Sequence, residues 1–207
     1  MTSNRIRIKM CGMTREEDIR QAAAIGADAA GFIFYNQSKR SISVQQACEL
    51  MQVMPPFMSA VAVVVNPQPA LIDDIVKKLP IQCLQFHGDE SPAFCNQFAF
   101  PYIKAIPAVS AEAILKAAED YAAARAILLD TPCDSRGGSG KIFDWHTIPP
   151  SLDKAVIMAG GLTAGNVREA VSVYRPYAVD VCSGIESAPG IKDHHQMKLI
   201  VQALGDM

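Results

Sequence analysis

A chain of 207 residues, half of them hydrophobic and carrying a formal net charge of −2, is long enough to bury a sizeable core in one domain. That small charge argues against general attraction to nucleic acid or an anionic membrane. No apolar run approaches the roughly 18 residues of a membrane span, and MTSNRIRIKM has no apolar stretch of signal-peptide length, so a cytoplasmic protein is expected.

Taken in order, the chain switches between short β-rich runs and longer helical patterns. RIRIKMC (5–11) is the first strand, Thr14 with Glu17 has the spacing of a capping box, and Gly26 stands where the first helix would stop. DAAGFIF (28–34) is the second strand, and Ser43 with Gln46 repeats the capping-box spacing. SAVAVVV (59–65) and IQCLQFH (81–87) follow, then a helix opened by Ser91-Pro92. PYIKAI (101–106) leads into a helix beginning at Ser110, and RAILLD (125–130) is the sixth strand. Next comes a long loop, TPCDSRGGSGKIF, after which only DWHTIP offers a helical turn. KAVIMA (154–159), a helix opened by Thr163, and YAVDVC (177–182) complete the series.

Eight strands separated mostly by helices imply parallel pairing, because a parallel crossover needs a helix-sized connection. A closed (β/α)₈ TIM barrel and an open doubly wound sheet both satisfy that. The count of eight favours the barrel, although 207 residues lies near its short limit, and the first turn, CGMT, lacks the GxGxxG of dinucleotide folds. No linker divides residues 1–207, so a single domain is expected.

A barrel builds its active site at the C-terminal ends of its strands. Alternation along the first strand puts Arg5, Arg7, Lys9 and Cys11 on one face and Ile6, Ile8 and Met10 on the other. With the apolar face against helices, Cys11 becomes the last inward residue of the strand, and Lys9 beside it would favour the thiolate. Asp130 closes the sixth strand, where a carboxylate needs water or a partner. His87 ends the fourth strand on the same face as Gln85, Asp180 faces inward near the top of the eighth, and Arg40 follows the second. The glycine clusters AGGLT (159–163) and CSGIE (182–186) follow strands seven and eight, where barrels bind phosphate through backbone N–H groups. GGSGK (137–141) is no P-loop, since Ser135 and Ile142 stand where glycine and Ser/Thr are required, and it reads as a lid over the site.

The six cysteines include no CxxC pair; reduced thiols are expected, with Cys48, Cys83 and Cys95 as small buried hydrophobes. His194-His195 is adjacent rather than at ligand spacing and reads as surface, so no metal site is expected. A phosphate grip with a candidate acid and base suits proton transfer, as in isomerisation of a sugar phosphate.

KMCGMT, GADAAGFIFYNQSKRSIS, QFHGDE, LLDT followed by GGSGKIFDW, AGGLTAGNV, and AVDVCSGIE with PGIKD occur in this order over nearly the whole chain. Together they resemble the phosphoribosylanthranilate isomerases of tryptophan biosynthesis. The resemblance implies an Amadori rearrangement of N-(5-phosphoribosyl)anthranilate, with no metal or organic cofactor. Asp130 is then the general acid that opens the ribose ring, and Cys11 the general base that removes the C2′ proton. Arg40 and His87 would line the anthranilate end, Asp180 would bond a ribose-derived hydroxyl, and Gly160, Gly161, Ser183 and Gly184 would hold the phosphate. Cys182 departs from the serine that such families often show. A histidine-pathway Amadori isomerase, expected to use two aspartates, and a silent phosphate-binding barrel are the alternatives; Cys11 argues against the first, and retention of both acid and base against the second. The expected partner is a small phosphosugar substrate, with no nucleic acid and no membrane, and a monomer is expected rather than a homodimer.

Overall fold

The computed structural model describes residues 5–132 and 142–205. The GGSGK segment read as a lid, and Cys133, lie outside the described residues. Eight parallel strands close into a barrel in sequence order: β1 (Arg7–Cys11), β2 (Ala29–Ile33), β3 (Ser59–Val64), β4 (Cys83–Phe86), β5 (Tyr102–Pro107), β6 (Ala126–Asp130), β7 (Ala155–Met158) and β8 (Ala178–Val181). The seam is the β1–β8 pair, with Lys9 opposite Asp180 and Met10 opposite Val181. The chain is thus a (β/α)₈ barrel, as the count of eight strands predicts.

The helices α1 (Glu16–Ala24), α2 (Val44–Met51), α3 (Pro69–Lys78), α4 (Pro92–Asn96), α5 (Ala111–Asp120) and α6 (Val167–Val173) fill six of the crossovers. Between β6 and β7 the described residues carry only the short 3₁₀ turn Trp145–Thr147, where DWHTIP offered one. A two-stranded hairpin, β9 (Glu186–Ala188) and β10 (Ile191–Lys192), and a final helix, α7 (His194–Gly205), follow the barrel. The hairpin carries no strand signal that alternation could detect, being five residues in two pieces.

Helix ends follow local chemistry where the chain is free to choose. Ser43 and Gln46 form a full capping box, with Gln46 N–H donating to the Ser43 hydroxyl and Ser43 N–H to the Gln46 amide oxygen. Ser91 and Ser110 cap α4 and α5 in the same way through their hydroxyls. Two expected caps are displaced. Thr14 donates instead to the carbonyl of Gly190, and α1 begins after Arg15. After Thr163, the helix α6 starts only at Val167, following Asn166, whose side chain accepts the Thr163 N–H. At Thr14 a tertiary partner at the barrel mouth takes the hydroxyl that a local cap would have used; at Thr163 the nearby Asn166 closes the turn instead.

Alternation sorts the core into two shells. Ile6, Ile8 and Met10 of β1 join Phe32, Phe86, Ile127 and the helix residues in the layer outside the barrel. The interior layer is built from Val61, Ile103, Leu128 and Ile157 with small alanines, among them Ala105, Ala126 and Ala178. Strand β1 gives this interior no aliphatic side chain; its inward residue there is the buried Lys9. Leu128 is wholly buried among those alanines, which cannot close over a gap. Leu128→Ala should lower the unfolding free energy by about 2–5 kcal/mol in urea denaturation, and a loss under about 1 kcal/mol would show that the interior collapses around the cavity.

Candidate active site

A cavity of about 450 Å³ opens at the C-terminal ends of the strands, and Cys11, Arg40, His87, Asp130 and Asp180 all line it. Gly160, Gly161, Ser183 and Gly184 lie along its β7–β8 side. The structure therefore brings every site residue expected from the sequence to one cavity.

The floor is an ion pair. Lys9 Nζ donates to Asp180 Oδ2 at 2.7 Å across the barrel seam, with both side chains almost wholly buried. Gly31 makes room for it: a methyl group there would stand 2.6 Å from Cys11 Sγ and 3.1 Å from Lys9 Nζ. Burial alone would lower the Lys9 pKa, yet Asp180 and Cys11 hold its ammonium well above the ordinary value. Asp180 Oδ1 remains buried without a hydrogen-bond partner, and so does Gln85 Oε1. Two lone acceptors at a cavity wall are placed to receive donors from a ligand.

Cys11 does not titrate as Lys9 alone would dictate. Its hydrogen bond with Cys182 and its burial push the Cys11 thiol well above its usual range, outweighing the pull of Lys9. The same bond draws Cys182 down to about 7 against its burial, helped by Lys192 and Arg40. Cys11 is raised while Cys182 is lowered, so the two thiols titrate as a pair and not as Cys11 under Lys9 alone. Chain order marks Cys182 only as a departure from serine; it does not show that the thiol shares the cavity with Cys11 and lies 3.9 Å from Lys192 Nζ.

On the opposite wall, a relay runs Gln85–His87–Asp130. Gln85 Nε2 donates to His87 Nδ1 at 2.9 Å, so the ring carries its proton on Nε2, which donates to Asp130 Oδ2 at 3.1 Å. Thr131 N–H donates to the other oxygen, Oδ1, at 2.8 Å. Asp130 is thereby held on both oxygens and aimed into the cavity.

Arg40 is clamped by Glu186, with Nε at 2.8 Å from Oε1 and Nη2 at 2.6 Å from Oε2. Lys192 Nζ reaches the same carboxylate at 2.8 Å. Gly12, at φ +75°, completes the clamp: a methyl group there would lie 2.7 Å from Arg40 Cδ and 3.2 Å from Cys182 Sγ. The sharp turn after Cys11 leaves the space that Arg40 crosses. Glu186 and Lys192 belong to the hairpin; they lie in the stretches CSGIE and PGIKD, but nothing in either marks them as partners of Arg40.

Gly160 and Gly161 both have positive φ, +79° and +63°, and Asn166 Nδ2 donates to Gly161 O at 3.0 Å, fixing the loop. A side chain at Gly160 would strike Thr131, and one at Gly184 would strike Leu162 O. The backbone N–H groups of all four anion-site residues make none of the turn and loop hydrogen bonds among the described residues.

A family model for N-(5'phosphoribosyl)anthranilate (PRA) isomerase matches residues 8–203. The N-(5'-phosphoribosyl)anthranilate isomerase of Legionella pneumophila (strain Paris) is 51% identical over 205 residues, covering 99% of each chain. The crystal structure of phosphoribosyl anthranilate isomerase from Thermotoga maritima aligns with a TM-score of 0.90 at 41% identity, covering 98% of this chain and all of that one. Another, described in complex with reduced 1-(o-carboxyphenylamino)-1-deoxyribulose 5-phosphate, aligns at 0.84 with 36% identity, with 98% and 100% covered.

The chain belongs to the phosphoribosylanthranilate isomerase family. Its activity is that isomerisation, a step of tryptophan biosynthesis. Among the described residues, the other three cysteines do not line the cavity. Cys83 and Cys95 are pushed up by burial to about 11 and about 12, as small core residues should be. Cys48 is exposed on α2, not buried as expected.

The seam ion pair generates a stability test. Lys9→Met strands a buried carboxylate and should cost about 3–5 kcal/mol in denaturation, whereas Lys9→Met with Asp180→Leu should recover much of that. Equal losses in the single and double variants would mean that the pair contributes through packing alone.

Proposed function

We propose that this isomerase performs its Amadori rearrangement with Asp130 as general acid and Cys11 as general base. The observation that carries the reading is that both groups line one cavity whose floor holds the unpartnered Asp180 Oδ1. Asp130 enters the reaction protonated, gives its proton to the ribose ring oxygen as the C1′–O bond breaks, and is left as the carboxylate that accepts from His87 and Thr131, while the anthranilate nitrogen supplies the electrons that form a protonated Schiff base. Moving the shared proton onto Cys182 leaves a thiolate on Cys11, which removes the C2′ proton. The C–H electrons flow toward the iminium nitrogen, giving an enolamine that tautomerises to the C2′ ketone. Asp180 Oδ1 accepts a bond from a ribose-derived hydroxyl. The N–H groups of Gly160, Gly161, Ser183 and Gly184 hold the phosphate.

Arg40 and His87 line the anthranilate end. The Glu186 clamp occupies Nε and Nη2 of Arg40, so Nη1 is the guanidinium nitrogen offered to the substrate carboxylate. We further infer one barrel domain acting as a cytoplasmic monomer. The large exposed apolar residues Phe57, Val109, Leu115, Ile142, Tyr177 and Ile191 sit on separate elements rather than in one patch. No helix of the described residues is long and apolar enough to cross a membrane. A single cooperative unfolding transition and a monomer mass by light scattering are expected; a stable dimer would overturn the monomer.

Substrate made in situ from anthranilate and phosphoribosyl pyrophosphate can be followed by anthranilate-ring fluorescence. Cys11→Ser and Asp130→Asn should each lower turnover by roughly 10²–10⁴-fold while leaving phosphate-analogue binding nearly unchanged. Near wild-type turnover in either variant would remove that residue from the mechanism. Because the base acts only after the thiol pair has lost a proton, kcat/KM should rise with pH through about 7 and level off above it. A profile flat from pH 6 to 8 would show that the pair does not supply the base.

A further inference from the structure

The β1–β8 register sets Lys9 opposite Asp180 and Met10 opposite Val181, so the next positions on the two strands are Cys11 and Cys182. Neighbouring strands lie about 4.7–4.9 Å apart, inside the Cα separation of about 4.4–6.8 Å that a disulfide spans. One position earlier Lys9 and Asp180 meet at 2.7 Å, and Cys11 and Cys182 line the same cavity. Lys192 Nζ stands 3.9 Å from Cys182 Sγ, where a cation favours the reactive thiolate. The isomerisation uses one thiolate as base, and a second thiol lining the same cavity adds the possibility of chemistry between two sulfurs.

We propose that Cys11 and Cys182 are a peroxide-sensitive modification site that closes to a reversible disulfide across the barrel seam. The Cys182 thiolate attacks one oxygen of a hydroperoxide, breaking the O–O bond; the sulfur becomes a sulfenic acid, and the departing alkoxide or hydroxide takes a proton. The Cys11 thiol then displaces the sulfenic hydroxyl, which leaves as water with the thiol proton, and the S–S bond forms. Two electrons pass from the sulfurs to the peroxide. A dithiol reductant reverses the step by exchange. The loss of turnover rests on Cys11 being the base; the linkage does not. The linkage takes Cys11 out of its thiol form and tethers the backbone next to Ser183 and Gly184.

The test treats the full chain with hydrogen peroxide and reads mass and turnover together. Expected is an intact mass lower by two hydrogens, a Cys11–Cys182 linked peptide in a non-reducing digest, and a turnover loss of about 10²-fold that dithiothreitol reverses. Cys48→Ser should behave identically, and Cys182→Ser should show no linked peptide. A linked peptide with turnover retained would sustain the disulfide and remove Cys11 from the mechanism. Recovery of both cysteines as free thiols or as separate sulfinic acids would overturn the proposal, as would a two-hydrogen loss that persists in Cys182→Ser.

Discussion

The buried pair of Lys9 and Asp180 is the constraint on which the site depends. A barrel must close somewhere, and here the first and last strands meet with an ammonium and a carboxylate facing each other at 2.7 Å. Desolvating both charges costs several kcal/mol per ion, so the pair is weak evidence for stability. What it does secure is register. A one-residue slip of β8 against β1 would separate the charges and bury each alone, and would also turn Asp180 away from the cavity. The same register that pairs the charges sets Cys11 beside Cys182. Closure of the fold and assembly of the base are therefore one event.

Around that seam, small residues act as space. Gly31 clears the interior for Lys9 and Cys11, and Gly12 clears the mouth for Arg40. Neither is needed for a strand or a helix; each is needed because a long charged side chain must cross the backbone closely. The Arg40 clamp shows why the hairpin after β8 exists. Glu186 balances Arg40 and Lys192 together, and this bound carboxylate is lowered, against its burial, by the hydrogen bond from Arg40 and by Lys192. Cys182 is lowered first by its interaction with Cys11 and then by Lys192 and Arg40, against its burial and Glu186.

Much of this was legible in the chain. All eight strands were found where hydrophobic alternation put them, because inward and outward residues follow a period of two. The inward face of β1 also gave Lys9 and Cys11 correctly. At Thr163 the turn closed by Asn166 delays the helix, whereas the Thr14 cap failed because its hydroxyl meets a partner far along the chain, Gly190, 176 residues away. Cys182 and Glu186 were missed as functional groups for the same reason. Local pattern reports which face a residue points to, whereas the charge on a thiol depends on what stands opposite, and that is set only when β8 returns to β1.

The reversed titration of Cys11 carries the strongest lesson about how such a base can work. Lys9 looks like the activating cation by adjacency, but its ammonium is committed to Asp180 and cannot serve the thiol fully. A thiol deprotonated outright at rest would be a standing nucleophile in a site that also handles an aldehyde-level sugar. In the mechanism proposed above, a base shared with Cys182 would leave Cys11 protonated until the substrate's iminium acidifies the C2′ hydrogen. The proton then moves within the pair rather than to solvent. Such a transfer needs no change in net charge of the buried site, which is what a low-dielectric interior penalises most.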